Sequence, residues 1–257
     1  MIAALFDVHA NLPALEAVLS HASAAGAVRV VVGGDVVDGP LPRQTLDRLL
    51  ALRPAPLFIR GNTERAVVAG HDAPGEAEPG RPTPLQQWVA AQLTPGQLGF
   101  LAGLPRCAHV NDNGVRLLFC HATPRSDREV FTPATPPSRL RSIFEGAGAD
   151  VVVCGHTHLQ FEIAVDGLRV CNAGSVGMPT DDASAQWALI GESIRLMRTP
   201  YDLGLAAEAI NASGYPGAAA FVEENLRRPH QVAPSIAYFE ARAEADPLQG
   251  AEPPGWG

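Results

Sequence analysis

Between Ile2 and His158, five short apolar runs each end on a residue that can bind a metal ion, turn the chain sharply, or both. Ile2–Phe6 is followed by Asp7 and His9, Val28–Val32 by Gly33-Gly34-Asp35, and Leu57–Ile59 by Arg60-Gly61-Asn62. Val115–Cys120 is followed by His121, and Val151–Cys154 by Gly155-His156-Thr157-His158. Helical periodicity fills the intervals: Leu12, Leu15, Val18, Leu19 and Ala22 up to Gly26, then Leu46, Leu49 and Leu50, then Leu140 to Phe144. Buried strands alternating with helices make an α/β domain, and the carboxyl ends of such strands line the ligand crevice. The pattern therefore delivers two carboxylates, one carboxamide and four imidazoles to one end of a sheet. Residues at i and i+2 of an extended segment share a side, so Asp7 can converge with His9 and His156 with His158. The glycines before Asp35, Asn62 and His156 allow the backbone to turn and the side chains to crowd together.

Beyond Gly155 the rhythm shortens. Phe161–Val165, Leu168–Cys171, Trp187–Ile190 and Ile194–Met197 read as strands, with Asp166-Gly167 as a hairpin turn. Leu203–Ala212 and Ala218–Leu226 read as helices around a Gly214-Tyr215-Pro216-Gly217 break. Residues 71–84 read as a surface loop, residues 1–244 as one domain and residues 245–257 as a frayed tail.

Composition removes several functions. All 19 basic residues are arginine, so no phosphate-loop lysine, Schiff base or lysine general base exists. A net charge of −8 with no basic stripe argues against coating nucleic acid. No apolar run nears the ~18 residues of a membrane span, and the first residues lack the basic flank of an export signal. Cys107, Cys120, Cys154 and Cys171 form no C-x-x-C pair and read as reduced core residues of a cytoplasmic protein.

Taken singly, a D-x-H or a lone histidine is common; their joint order is not. Asp7-Val8-His9-Ala10-Asn11, Gly34-Asp35, Gly61-Asn62, His121 and Gly155-His156-Thr157-His158 together resemble the calcineurin-like metallophosphoesterase superfamily, in particular its compact bacterial and archaeal branch. Asn11-Leu12-Pro13-Ala14-Leu15 and Asn172-Ala173-Gly174-Ser175 extend the likeness to about residue 198. The resemblance implies a four-layer α/β/β/α sandwich with a dinuclear metal site at the carboxyl ends of the strands. It implies Asp7, His9, Asp35 and His158 on one ion, and Asp35, Asn62, His121 and His156 on the other, with Asp35 bridging. Mixed imidazole and oxygen donors suit Mn as first choice, with Fe, Zn, Ni, Co or Mg as alternatives, rather than Ca. Two divalent ions against two carboxylates leave net positive charge to draw phosphate into an acidic protein.

The implied activity is hydrolysis of a small phosphodiester, phosphomonoester or nucleotide, dinucleoside polyphosphates among them, by attack of a metal-bridging hydroxide. Asp35, Asn62 and His121 carry the catalytic roles, and Asn62, Arg65 and Arg125 are the expected substrate contacts, arginine forks suiting phosphate. His71 is a candidate proton donor, and Asp38 a candidate acceptor for a ligand histidine. Three positions depart from the family pattern. Thr63 stands where a histidine often protonates the leaving group, and threonine is no acid near neutral pH. Ala10 replaces the usual glycine after D-x-H, and Ala173 replaces a proline. The competing expectation is a binding or scaffold protein on the same fold with weak or lost catalysis, to which Thr63 lends support. A nuclease fits the acidic charge poorly.

Overall fold

The computed structural model describes residues 1–72 and 82–245. Strands β1 (Ile2–Leu5), β2 (Arg29–Val32) and β3 (Leu57–Phe58) run parallel, and β9 (Ala185–Ile190) and β10 (Ile194–Thr199) extend the sheet antiparallel, in the order β10-β9-β1-β2-β3. The second sheet comprises β4 (Cys107–Asp112), β5 (Val115–Cys120), β6 (Val151–Cys154), β7 (Gln160–Val165) and β8 (Leu168–Ala173), in the order β4-β5-β6-β8-β7. Its three central strands are parallel, and both outer ones are antiparallel.

Side-chain alternation along each strand builds the layers. Ile2, Ala4, Phe6 and Val31 from the first sheet meet Leu117, Phe119, Val151 and Val153 from the second. The intervening residues of the first sheet, Ala3, Leu5 and Val32, face α1 (Leu12–Ala24), α2 (Pro42–Leu50), α3 (Asn62–Asp72), α4 (Pro84–Gln92) and α5 (Pro95–Ala102). Leu118, Cys120, Val152 and Cys154 face outward onto α6 (Pro137–Phe144) and onto Ile236 and Phe239 of α9 (Val232–Ala245). The result is the expected four-layer α/β/β/α sandwich. Helices α7 (Leu203–Ala212) and α8 (Ala218–Phe221), with a π-helical turn over Val222–Arg227, form a cluster around Ala206, Ile210 and Phe221.

Several elements exceed the sequence reading. The expected loop at 71–84 is helical at His71 and Asp72 and again from Pro84; its middle, residues 73–81, lies outside the described residues. Of the tail expected over 245–257, Ala245 closes α9 and the rest lies outside the described residues. Helices α4 and α5 open on Thr83-Pro84 and Thr94-Pro95, and each threonine forms a capping box with Gln86 or Gln97. The segment between β5 and α6 is pinned at both ends. Arg125 forks onto Glu129 at 2.8 and 2.6 Å, and Glu240 of α9 accepts from Thr132 and Thr135 at 2.6 and 2.5 Å.

Candidate metal centre

Six residues at the strand ends adopt left-handed backbone: Asp7 (φ 54°), His9 (46°), Ala10 (52°), Asp35 (53°), His156 (70°) and His158 (57°). Such conformations cost L-residues roughly 1–2 kcal/mol each and are tolerated where surrounding contacts enforce them. Here they curl each strand end so that its side chains converge. Two glycines make the convergence possible. A Cβ on Gly61 would overlap Oδ1 of Asp35, and one on Gly155 would overlap Oδ2 of Asp7.

All seven residues read from the strand ends meet. Asp7, His9 and His158 each offer one donor atom within 4.8 Å of the others, and so do Asp35, His121 and His156. The groups adjoin: Nε2 of His121 is 3.4 Å from Oδ2 of Asp35 and 3.9 Å from Oδ1 of Asp7, and Nε2 of His9 is 4.0 Å from Oδ2 of Asp35. The Asn62 carboxamide lies 3.1 Å from Nε2 of His121 and 3.0 Å from Nδ1 of His156.

Backbone groups aim the rings. Nδ1 of His9 meets the Asp38 carbonyl at 3.0 Å and Nδ1 of His121 the Gly33 carbonyl at 2.9 Å, which turns both Nε2 atoms inward. His156 is reversed, with Nε2 on the Arg128 carbonyl at 3.2 Å and Nδ1 inward. Oδ2 of Asp7 accepts from the His156 amide at 2.8 Å, and Oδ1 of Asp35 accepts from the Thr63 amide at 2.9 Å. Glu64, buried behind Asp35, accepts from the amides of Asp35, Val36 and Gly61 at 2.8, 2.7 and 2.7 Å.

One atom tests whether ions fit. Oδ1 of Asp7 is buried and accepts no hydrogen bond, although Nε2 of His158, His121 and His9 face it at 3.5, 3.9 and 4.0 Å. Burying a carboxylate oxygen with no partner is costly, and a divalent cation between these donors satisfies it. The nitrogen and oxygen donors match transition ions. The residues present fit a pair of divalent metals.

The electrostatics agree. Burial opposes charge on Asp7 and Asp35, but His158 beside Asp7 and His121 beside Asp35 hold both carboxyls below the usual carboxylate range. Burial also opposes charge on His121, yet Asp35 and Asp7 outweigh it and push the imidazole up to about 10. Burial and the neighbouring His121 charge take His156 down to about 3. The centre calls for positive charge, supplied by a proton on His121 when no ion is bound. Burial and the Asp35 charge push Glu64 up to about 7.

The outer contacts read from sequence fare differently. Arg65 follows Asn62 on α3, is 45% exposed and pairs with Asp127 at 2.9 Å, beside the Asn62 carboxamide. Arg125 gives its guanidinium to Glu129 and to the Ser142 carbonyl at 2.9 Å, so its place is a clamp onto α6 rather than an expected phosphate contact. His71 sits exposed in the last turn of α3, roughly 14 Å along the helix from Asn62 at ~1.5 Å per residue. Asp38 orients His9 through its backbone carbonyl, while its carboxylate accepts from Gln86 at 3.1 Å. Thr63 is buried with no partner for Oγ1. Sequence reasoning missed Glu64 as the brace of Asp35; its position two residues after the Gly61-Asn62 turn, at the start of a helix, was the available signal.

A family model described as the calcineurin-like phosphoesterase superfamily domain matches residues 1–192. An uncharacterized protein of Methanocaldococcus jannaschii is 27% identical over 236 residues, covering 84% of this chain and 94% of that protein. The fold resembles a metallophosphoesterase crystal structure from Sphaerobacter thermophilus, with TM-score 0.69, 24% identity and coverage of 88% and 98% of the two chains. A hypothetical protein from Pyrococcus horikoshii gives TM-score 0.74 at 17% identity, covering 90% of this chain and 100% of the other.

Proposed function

Because the chain belongs to the calcineurin-like phosphoesterase superfamily, we propose that it is a metal-dependent hydrolase of small phosphate esters. Its metal centre comprises Asp7, His9, Asp35, Asn62, His121, His156 and His158. What carries this reading is the pair of adjoining nitrogen and oxygen clusters around the orphaned Oδ1 of Asp7. These residues would hold two divalent ions, Mn first among them, which would supply Lewis acidity for activating water and neutralising phosphoryl oxygens.

The chain's own residues do the rest. Asp35 faces both clusters, with Oδ1 fixed by the Thr63 amide and Oδ2 directed at His121 and His9, which suits a shared ligand. Asn62 would contribute its carboxamide, and the half-exposed Arg65, paired with Asp127 one helical turn on, is the arginine proposed to contact a phosphoryl group. Attack is by water, without a covalent enzyme intermediate.

Thr63 is no acid and His71 is remote, so among the described residues neither candidate protonates the leaving group, and substrates with stable leaving anions turn over best. Aryl phosphodiesters and phosphoanhydrides, including dinucleoside polyphosphates, meet that requirement; simple alkyl esters do not.

Elemental analysis of the purified full chain after equilibration with Mn, paired with hydrolysis of bis-p-nitrophenyl phosphate and p-nitrophenyl phosphate, tests the reading. Two ions per chain with Mn-dependent turnover are expected. Less than one ion, and no turnover with any divalent metal, overturns it in favour of a binding protein on this fold.

A further inference from the structure

Cys107 and Cys120 face each other across the outer hairpin of the second sheet. Strands β4 and β5 are joined by Asn113-Gly114, both left-handed at φ 53° and 86°, which makes a two-residue type I′ turn. In such a hairpin the pair beside the turn, here Asp112 and Val115, exchanges backbone hydrogen bonds, and bonded and non-bonded pairs then alternate. Counting outward from Asp112 to Cys107 (112 − 107 = 5 steps) puts Cys107 and Cys120 at a non-hydrogen-bonded position. Opposed Cα atoms lie about 4.5 Å apart at such positions, within the roughly 4.4–6.8 Å that a disulfide spans. Both thiols are free and share a face: Cys120 is buried in the core under α6, and Cys107 is half-buried at its edge.

Cys107 also opens on a groove of about 600 Å3 lined by Arg60, Arg106, His109, Pro124 and the turn at 146–148. No carboxylate is among its lining residues, in a chain of net charge −8. Nε of Arg60 is buried there without a hydrogen-bond partner. Burial pushes the Cys107 thiol up, and the Arg106 and Arg60 guanidiniums pull the other way. Burial outweighs the two guanidiniums and leaves the thiol above its ordinary value, so the cross-strand pairing and the cationic groove, rather than a free thiolate, favour exchange at Cys107.

We propose that Cys107 is a site of thiol–disulfide exchange with small disulfides that carry carboxylates, and that Cys120 converts the adduct into an intrachain Cys107–Cys120 disulfide. In the first step the Cys107 sulfur attacks one sulfur of the small disulfide. A mixed disulfide forms, the small S–S bond breaks, and the departing half takes the Cys107 proton as a free thiol. In the second, the Cys120 sulfur attacks the Cys107 sulfur; the mixed bond breaks, and the second half leaves with the Cys120 proton. The protein dithiol is oxidised, and the small disulfide is reduced to two thiols. This chemistry uses none of the candidate metal ligands as a reacting group, although Cys120 directly precedes His121 in the chain.

Intact-mass and peptide-map analysis of the native full chain treated with oxidised glutathione, or with the cationic disulfide cystamine, tests the proposal. Oxidised glutathione is expected to yield a Cys107–Cys120 disulfide, at least about tenfold faster than cystamine at low salt, with Arg60→Gln narrowing that ratio. Cys120→Ser, or Cys120→Ala should the first fold poorly, is expected to retain one glutathionyl group on Cys107, and Cys107→Ser to retain none. No reaction of the native chain, a persistent adduct in the wild type, or a disulfide through Cys154 or Cys171 overturns the proposal. Equal rates for the two reagents overturn the role of the arginines.

Discussion

The two halves of the proposed metal centre are built from similar candidate ligands and braced differently. In the half formed by Asp7, His9 and His158, the Asp38 carbonyl holds His9 and the His156 amide holds Oδ2 of Asp7. Oδ1 of Asp7, however, has no hydrogen-bond partner, and Nε2 of His9 stands 3.2 Å from Nε2 of His158, whose side chain is 20% exposed. In the half formed by Asp35, Asn62, His121 and His156, the Thr63 amide and the Gly33 and Arg128 carbonyls hold three of the ligands. Glu64 gathers the amides of Asp35, Val36 and Gly61 behind them. Ligands already held by their neighbours lose less freedom when an ion arrives. The braced half is therefore expected to keep its ion more tightly, and the other half to exchange it.

Asp35→Asn should erase the distinction, because Asp35 faces both halves. Loss of ions from both and a fall in turnover of about 10³-fold are expected, the equivalent of several kcal/mol of lost charge stabilisation. Full metal content in this variant would refute the shared-ligand role. Chelator titration of the wild type should remove the ions in two phases, and His158→Gln should leave only the tighter one. Glu64→Gln, which weakens the brace, should bring the phases together by lowering the tighter affinity about 10–100-fold. A single phase in the wild type would contradict the comparison.

A subtler effect is one of pH, read in chelated protein by thermal unfolding. His121, pushed up to about 10, keeps a proton that the unfolded chain releases near 6.5, so its contribution is full below pH 6.5 and lost as pH rises through 10. The contribution of Glu64, pushed up to about 7, is lost earlier, between about 4.5 and 7. Tm of the metal-free chain should fall from pH 7 to 10, and His121→Asn should flatten the slope. A flat wild-type profile would remove His121 as the stand-in charge. The smallest effect is expected at Ala10→Gly. Relieving a left-handed alanine at φ 52° should raise stability by up to about 1 kcal/mol without altering metal content. A lower Tm would indicate that the Ala10 methyl packs usefully in its buried position.

All seven candidate ligands were legible because each follows a run apolar enough to be a strand, and strand ends of an α/β sheet share one rim. Their brackets were not legible. The carbonyls of Gly33, Asp38 and Arg128 carry no side-chain signal, and their ring partners lie 88, 29 and 28 residues away in the chain. Arg125 read as a phosphate ligand because it follows His121, but Glu129 sits at i+4 and takes its Nε and Nη2, while Nη1 goes to the Ser142 carbonyl. Helices α4 and α5 have little apolar periodicity, so the strand-and-helix rhythm passed over them. The threonine-proline start with glutamine at the third helical position was the signal present at both.

Glu240 joins a late helix to the wall of the metal centre. Its hydroxyl partner Thr132 is 108 residues away, and the pinned segment also supplies the Arg128 carbonyl that orients His156. Slack at Glu240 would loosen the segment that carries this carbonyl, and through it a ligand ring on another strand end. Damage far from the chemistry can then imitate the loss of a ligand.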